Sequence, residues 1–139
     1  MSTNSPISGS EPFQASILSV SLTVKDLGKS LTWYTDVLGF AIDRKIERDG
    51  KLLAVALKAG NARISINQDD GAKGWTRIKG EGFSLNITTD QNIDQVANRI
   101  KEHGGILDSE PADMPWGARV FRLKDLDGYK LMISTPRVG

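Results

Sequence analysis

Apolar and polar positions alternate from Ile17 to Lys25, with Val20, Leu22 and Val24 on one side and Ser19, Ser21 and Thr23 on the other. A period of two predicts a half-buried strand. The period then lengthens. Leu27, Leu31, Tyr34 and Leu38 recur at helical spacing, which predicts a helix over Leu27 to Val37, capped by Asp26, with one stripe on the apolar face of that strand. Gly39 stops the helix by accepting a left-handed conformation. Phe40 to Arg48 and Lys51 to Lys58 flank Asp49-Gly50, a strong hairpin signal. After the turn Ala59-Gly60-Asn61, the segment Ala62 to Asn67 completes the order strand, helix, strand, strand, strand.

The pattern restarts after a glycine-rich stretch from Gln68 to Gly82 that contains Trp75 and reads as a linker. Phe83, Leu85 and Ile87 alternate against Ser84, Asn86 and Thr88, and Ile93, Val96, Ala97 and Ile100 form one stripe of a helix from about Asn92 to Glu102. His103-Gly104-Gly105 ends that helix. Short strands follow near Ile106 to Ser109, Ala118 to Lys124 and Tyr129 to Thr135, the last two joined by an Asp-Gly turn. Both halves therefore read as βαβββ. The expected fold class is α+β, with two βαβββ modules forming a curved mixed sheet, helices outside and a concave cavity within. Only two copies occur, so this is a duplicated domain rather than a solenoid. The expected organisation is a flexible tail over residues 1–16 and a single domain over 17–135, with module 1 at about 17–67, a linker at 68–82 and module 2 at about 83–135.

Composition adds exclusions. At 139 residues the chain is long enough for one self-sufficient core. With 39% hydrophobic and 25% charged residues it is ordinary for a globular protein. A net charge of +1, with basic residues interleaved among acidic ones, predicts no nucleic-acid partner. No stretch approaches the roughly 20 apolar residues needed to cross a bilayer, so no membrane partner is expected. Met1 to Ser16 has no Lys or Arg and lacks the apolar core of a secretory signal, and a cytoplasmic location is the default expectation. The absence of cysteine removes thiolate metal sites and Cys nucleophiles.

Ser19-Val-Ser-Leu-Thr-Val-Lys-Asp26, then Lys29-Ser-Leu-Thr-Trp-Tyr-Thr-Asp-Val-Leu-Gly-Phe40, resembles the opening module of the vicinal oxygen chelate superfamily. Pro115-Trp-Gly117 and Asp125-Leu-Asp-Gly128 resemble its closing part, so the resemblance spans about Ile17 to Thr135. This superfamily includes glyoxalase I, extradiol dioxygenases, and fosfomycin and bleomycin resistance proteins. One scaffold thus hosts isomerases, lyases, oxygenases and plain binders. The resemblance implies a metal held by His or Glu on inward strand positions, chelated by two vicinal substrate oxygens. Carried onto this chain, those positions fall on Ser19, near Ser65, within Gly82 to Ser84, and on Met132, where a glutamate usually stands. None is a credible ligand for a divalent ion, which needs imidazole, carboxylate or thiolate. The expected metal site is therefore none, and no cofactor is implied.

Other residues admit plain structural explanations. His103, the single histidine, suits a helix C-terminus, and a multi-His site within one chain is excluded. Trp33 and Tyr34 read as core, whereas Trp75 and Trp116 sit on loops where a ring either stacks on a planar ligand or closes the core. Arg63, Arg119 and Arg122 alternate with apolar strand residues, so one of them could hold an anionic or carbonyl group. Asp125 and Asp127 most simply shape a turn. Glu47, Glu81, Glu102 and Glu110 form no convincing acid–base pair. No phosphate-binding loop, Ser-His-Asp set or nucleotide fingerprint is present.

The resulting expectation is a metal-free binder of the glyoxalase and bleomycin resistance type, with no assigned catalytic residue. Its ligand would be a small organic molecule, contacted by Ser19, Ser21, Ser65, Trp75, Asn86, Trp116, Arg119 and Met132. The resemblance further implies a homodimer, and drug or metabolite sequestration as a use of such a scaffold. The competing expectation is a lyase, isomerase or dioxygenase-related enzyme lacking a metal or using ligands such as Glu47, Glu81 or Asp113.

Overall fold

A computed structural model describes residues 9–137. The expected tail over residues 1–16 lies partly outside the described residues. Eight strands and two α-helices follow one another as two βαβββ units. In the first, β1 (Ser19–Val24) leads into α1 (Leu27–Thr32), then β2 (Ala41–Arg48), β3 (Lys51–Ala59) and β4 (Ala62–Gln68). In the second, β5 (Ser84–Thr88) precedes α2 (Ile93–Glu102), β6 (Leu107–Asp113), β7 (Arg119–Lys124) and β8 (Lys130–Ser134). The two four-stranded mixed sheets have the orders β1-β4-β3-β2 and β5-β8-β7-β6, the same topology twice. Each first strand runs parallel to the last strand of its unit, and the remaining pairs are antiparallel.

The alternation places one face of each sheet against its helix. Leu22, Val24, Val55, Leu57, Ile64 and Ile66 are buried in the first unit, and Phe121, Leu123, Leu131 and Ile133 in the second. They join Tyr34, Ile93, Ala97 and Ile100 in one cluster that spans both units. Each fully buried side chain of this kind contributes roughly 1.5–3 kcal/mol.

Two local departures from the periodic reading have physical causes. The first helix does not continue as α-helix to Val37. It widens into a π-helical turn over Trp33–Val37, with the Leu38 amide donating to the Trp33 carbonyl at 3.0 Å. The wider turn brings adjacent Trp33 and Tyr34 both into the core, where their rings meet edge to face at 4.9 Å. The sixth strand extends past Ser109 through Pro111 to Asp113. Proline is tolerated there because β6 is an edge strand and the register shifts between Ser109 and Ala112.

Candidate functional site

Strand register fixes what lies on the helix-free face. In the first unit Ser21, Ser65, Ala56 and Arg44 stand in one row across β1, β4, β3 and β2. In the second, Asn86, Met132, Arg122 and Ser109 form the corresponding row across β5, β8, β7 and β6. Paired residues share a face, and their neighbours Val55, Ile64, Phe121 and Leu123 are buried on the other side. The rows are polar but contain no carboxylate. Among the described residues neither Arg44 nor Arg122 has an ion-pair partner.

The edges of β1 and β5 flank a cleft of about 520 Å³ lined by Ser19, Val20, Arg63, Phe83, Ser84 and Asn86, among others. Ser19 and Asn86 therefore come together. Ser21 accepts a hydrogen bond from Asn67 Nδ2 at 2.8 Å, and Ser84 Oγ donates to Asn86 Oδ1 at 3.0 Å. Ser65 and half-buried Met132 sit one strand inward from this cleft, Met132 between Asn86 and Arg122. Arg63 turns back to the carbonyls of Gly60 and Ala62.

Three further residues of the expected ligand set lie outside these rows and this cleft. Arg119 lies on the helix side of β7, where Nη2 donates to Asp94 of α2 at 2.9 Å and Nη1 to Asp113 at 3.2 Å. Those hydrogen bonds, led by the one to Asp94, raise the pKa of its guanidinium. The preceding alternation did not reveal that Asp94 waits on the facing helix. Trp116 projects from the turn before β7, and its carbonyl accepts from Arg137 Nε at 3.2 Å. Trp75 stands beyond the far end of β1, against a separate cavity lined by Lys25, Lys29 and Arg77. His103 caps α2, with Nδ1 2.8 Å from the Arg99 carbonyl.

Ionisable groups concentrate instead at the seam between the units. Asp125, in the β7–β8 turn, accepts from the Tyr34 hydroxyl at 2.6 Å through Oδ2 and from the Asp127 and Tyr129 amides at 2.9 Å through Oδ1. Asp127 Oδ1 accepts from the Lys25 amide at 2.8 Å and from Lys79 Nζ at 3.3 Å. Tyr129 donates its hydroxyl to the Thr23 carbonyl at 2.8 Å. Burial raises the pKa of Asp125 despite these bonds, and burial followed by the neighbouring Asp125 charge raises that of Tyr34. Asp69 behaves oppositely, lowered first by the Gly71 amide and then by Lys79, whose Nζ lies 3.1 Å away. Asp125 and Asp127 thus shape the turn and also tie it to β1 and the first helix. The Asp-Leu-Asp-Gly string announces a turn but not its distant partners.

A catalytic divalent ion does not fit the helix-free face. Ser19, Ser65, Ser84 and Met132 offer hydroxyls and a thioether, donors that cannot neutralise such an ion. Among the described residues no three His, Cys, Asp or Glu side chains gather to hold one. Glu47 and Glu81 are exposed on different elements, and Asp113 is engaged by Arg119. No helix of the described residues is long and apolar enough to cross a membrane.

Comparison with known proteins agrees with this architecture. A probable lactoylglutathione lyase from Synechocystis sp. is 29% identical over 121 residues, covering 83% of this chain and 91% of that protein. A protein of the same name from Vibrio cholerae is also 29% identical over 121 residues, covering 83% and 86%. Among solved structures, TioX from Micromonospora sp. ML1 superposes with a TM-score of 0.72 at 19% identity, over 87% of this chain and 98% of that one. The hypothetical protein SA1046 from S. aureus gives 0.68 at 24% identity, over 89% and 96%. Residues 16–133 match the family model described as Glyoxalase/Bleomycin resistance protein/Dioxygenase superfamily, and the chain belongs to that family.

Proposed function

We propose that this protein binds a small organic molecule on its helix-free face without chelating a divalent metal ion. The observation that carries this reading is the pair of rows through Ser65 and Met132, where a hydroxyl and a thioether stand at positions that the family resemblance gives to charged metal ligands, with amide and guanidinium groups beside them. Neutral hydrogen-bonding groups with two unpaired arginines suit recognition of a ligand bearing carbonyl or anionic oxygens. They do not supply a group titrating near neutrality for proton transfer. Sequestration of a drug or metabolite is the use we assign to it.

A homodimer is part of this proposal. All of β2 is exposed, including Ile42 and Ile46, and a second copy covering this edge would shelter both apolar side chains and the unpaired backbone of an edge strand. Sedimentation equilibrium should give twice the chain mass, and Ile46→Lys should shift it toward monomer.

A glyoxalase-type lyase is the second reading, favoured by the names of the two relatives that cover most of the chain. Titration of a ligand panel by calorimetry separates the readings. We expect saturable binding by chelator-treated protein, lost on Ser65→Tyr, which fills the middle of the first row while leaving the core intact. Turnover of lactoylglutathione that depends on added metal would overturn the metal-free reading.

A further inference from the structure

We propose a second binding site, for a planar aromatic anion, in a cavity of about 530 Å³ at the end of the molecule where β1 passes into α1. Three segments enclose it: the β1–α1 junction, the connector between the units, and the β7–β8 turn. It shares no lining residue with the cleft between β1 and β5.

Its walls divide into apolar and cationic parts. Trp75 and Leu126 are 49% and 57% exposed, large apolar surfaces facing one cavity. The indole is held in place. Its six-membered ring lies over Gly71, where any Cβ would collide with it, so the glycine makes room for the ring. The connector carrying both is pinned to the fold: the Asp69 amide donates to the Val24 carbonyl at 2.8 Å, and Gln68 Nε2 donates to the Lys25 carbonyl at 2.8 Å. A ring fixed in this way and left half exposed offers a stacking surface at little cost in ordering.

The charge is unbalanced in the same place. Lys25, Lys29, Arg77 and Lys79 line the cavity against Asp26 and Asp127. Both carboxylates are occupied, Asp26 by the Lys29 amide at 3.0 Å and Asp127 by the Lys25 amide, Ser30 and Lys79. Lys79 is also held by Asp69 at 3.1 Å, whereas Arg77 meets Asp69 only at 3.5 Å. Among the described residues the ammonium groups of Lys25 and Lys29 have no acidic partner. Two unpaired ammonium groups and a loosely paired guanidinium beside an indole select a ring that carries a carboxylate or phosphate.

Calorimetric titration of the full chain with 2-naphthoate, 1-naphthyl phosphate and the neutral 2-naphthamide tests this assignment. At least one anionic probe should bind saturably and at least tenfold more tightly than the amide, and the tighter of the two identifies the anionic group. The variant with both Lys25→Gln and Lys29→Gln alters exposed side chains only, and should weaken that probe at least tenfold. Trp75→Leu should weaken it as well. Ser65→Tyr should leave it unchanged, so the outcome is independent of whether the helix-free face binds anything. Equal binding of the amide, indifference to the lysine changes, loss of binding in Ser65→Tyr, or no saturable binding would each overturn the proposal.

Discussion

The helix-free face and the seam between the units use polar residues in opposite ways. On the face, serine, asparagine, methionine and arginine stand in open rows without a carboxylate. At the seam, Asp69, Asp125 and Asp127 are drawn into hydrogen bonds and ion pairs whose side chains are nearly out of solvent. In this chain the two acids whose pKa is shifted, Asp69 and Asp125, therefore help join the two units and lie off the rows of the helix-free face. Perturbed acids often mark functional sites, but structural networks perturb them too. Here position in the fold separates the cases.

The largest expected effect comes from breaking the seam. Asp125→Ala removes the acceptor of the Tyr34 hydroxyl and of two amides, and should cost about 3 kcal/mol in urea unfolding. Ligand binding on the helix-free face should persist under conditions where the variant is folded. Tyr34→Phe removes a single hydrogen bond from a buried ring and should cost about 1 kcal/mol. A cost near zero for both would mean that the seam does not hold the units together.

pH sharpens the contrast within the seam. The raised pKa of Asp125 means that the fold favours its protonated form, so its contribution is full below the ordinary carboxylate value and lost as pH rises through the folded value. Asp125→Asn should therefore gain stability relative to the parent as pH increases from acid to neutral. The lowered pKa of Asp69 has the opposite sign, giving stability above the ordinary value that is lost as pH falls through the folded one. Asp69→Asn should lose stability at neutral pH and converge with the parent in acid. Parallel unfolding curves from pH 3 to 7 would check both slopes.

The smallest expected effect is at Arg119. Its partners Asp94 and Asp113 are largely solvated, so Arg119→Ala should shift urea unfolding less than Tyr34→Phe does. It should leave ligand affinity unchanged, since the side chain faces α2. A large affinity loss would place that guanidinium in the binding surface after all.

The fold was legible because period-two and helical patterns occur twice in the same order, and Asp-Gly turns mark the hairpins. Alternation also placed Ser21 and Asn86 on the face away from the helices, and the family resemblance pointed to Met132 beside them. It could not assign Arg119, because Arg119 and Arg122 lie an odd number of residues apart and only the sheet decides which one faces a helix. Nor could it find Arg44 beside Ala56, since a bulge after Ile42 resets the register of β2. The partners of Asp125 and Tyr34 are 91 residues apart, beyond any local signal. Trp75 was visible as a loop aromatic, but its separation from Ser19 required the path of the connector.

The most direct test of binding without a chelated metal is elemental analysis of the purified protein, followed by calorimetric titration with zinc, nickel and manganese. The account predicts no stoichiometric tight ion in either experiment, with ligand binding unaffected by chelators. One tightly bound divalent ion per chain, weakened by changes at Ser65 or Met132, would contradict it.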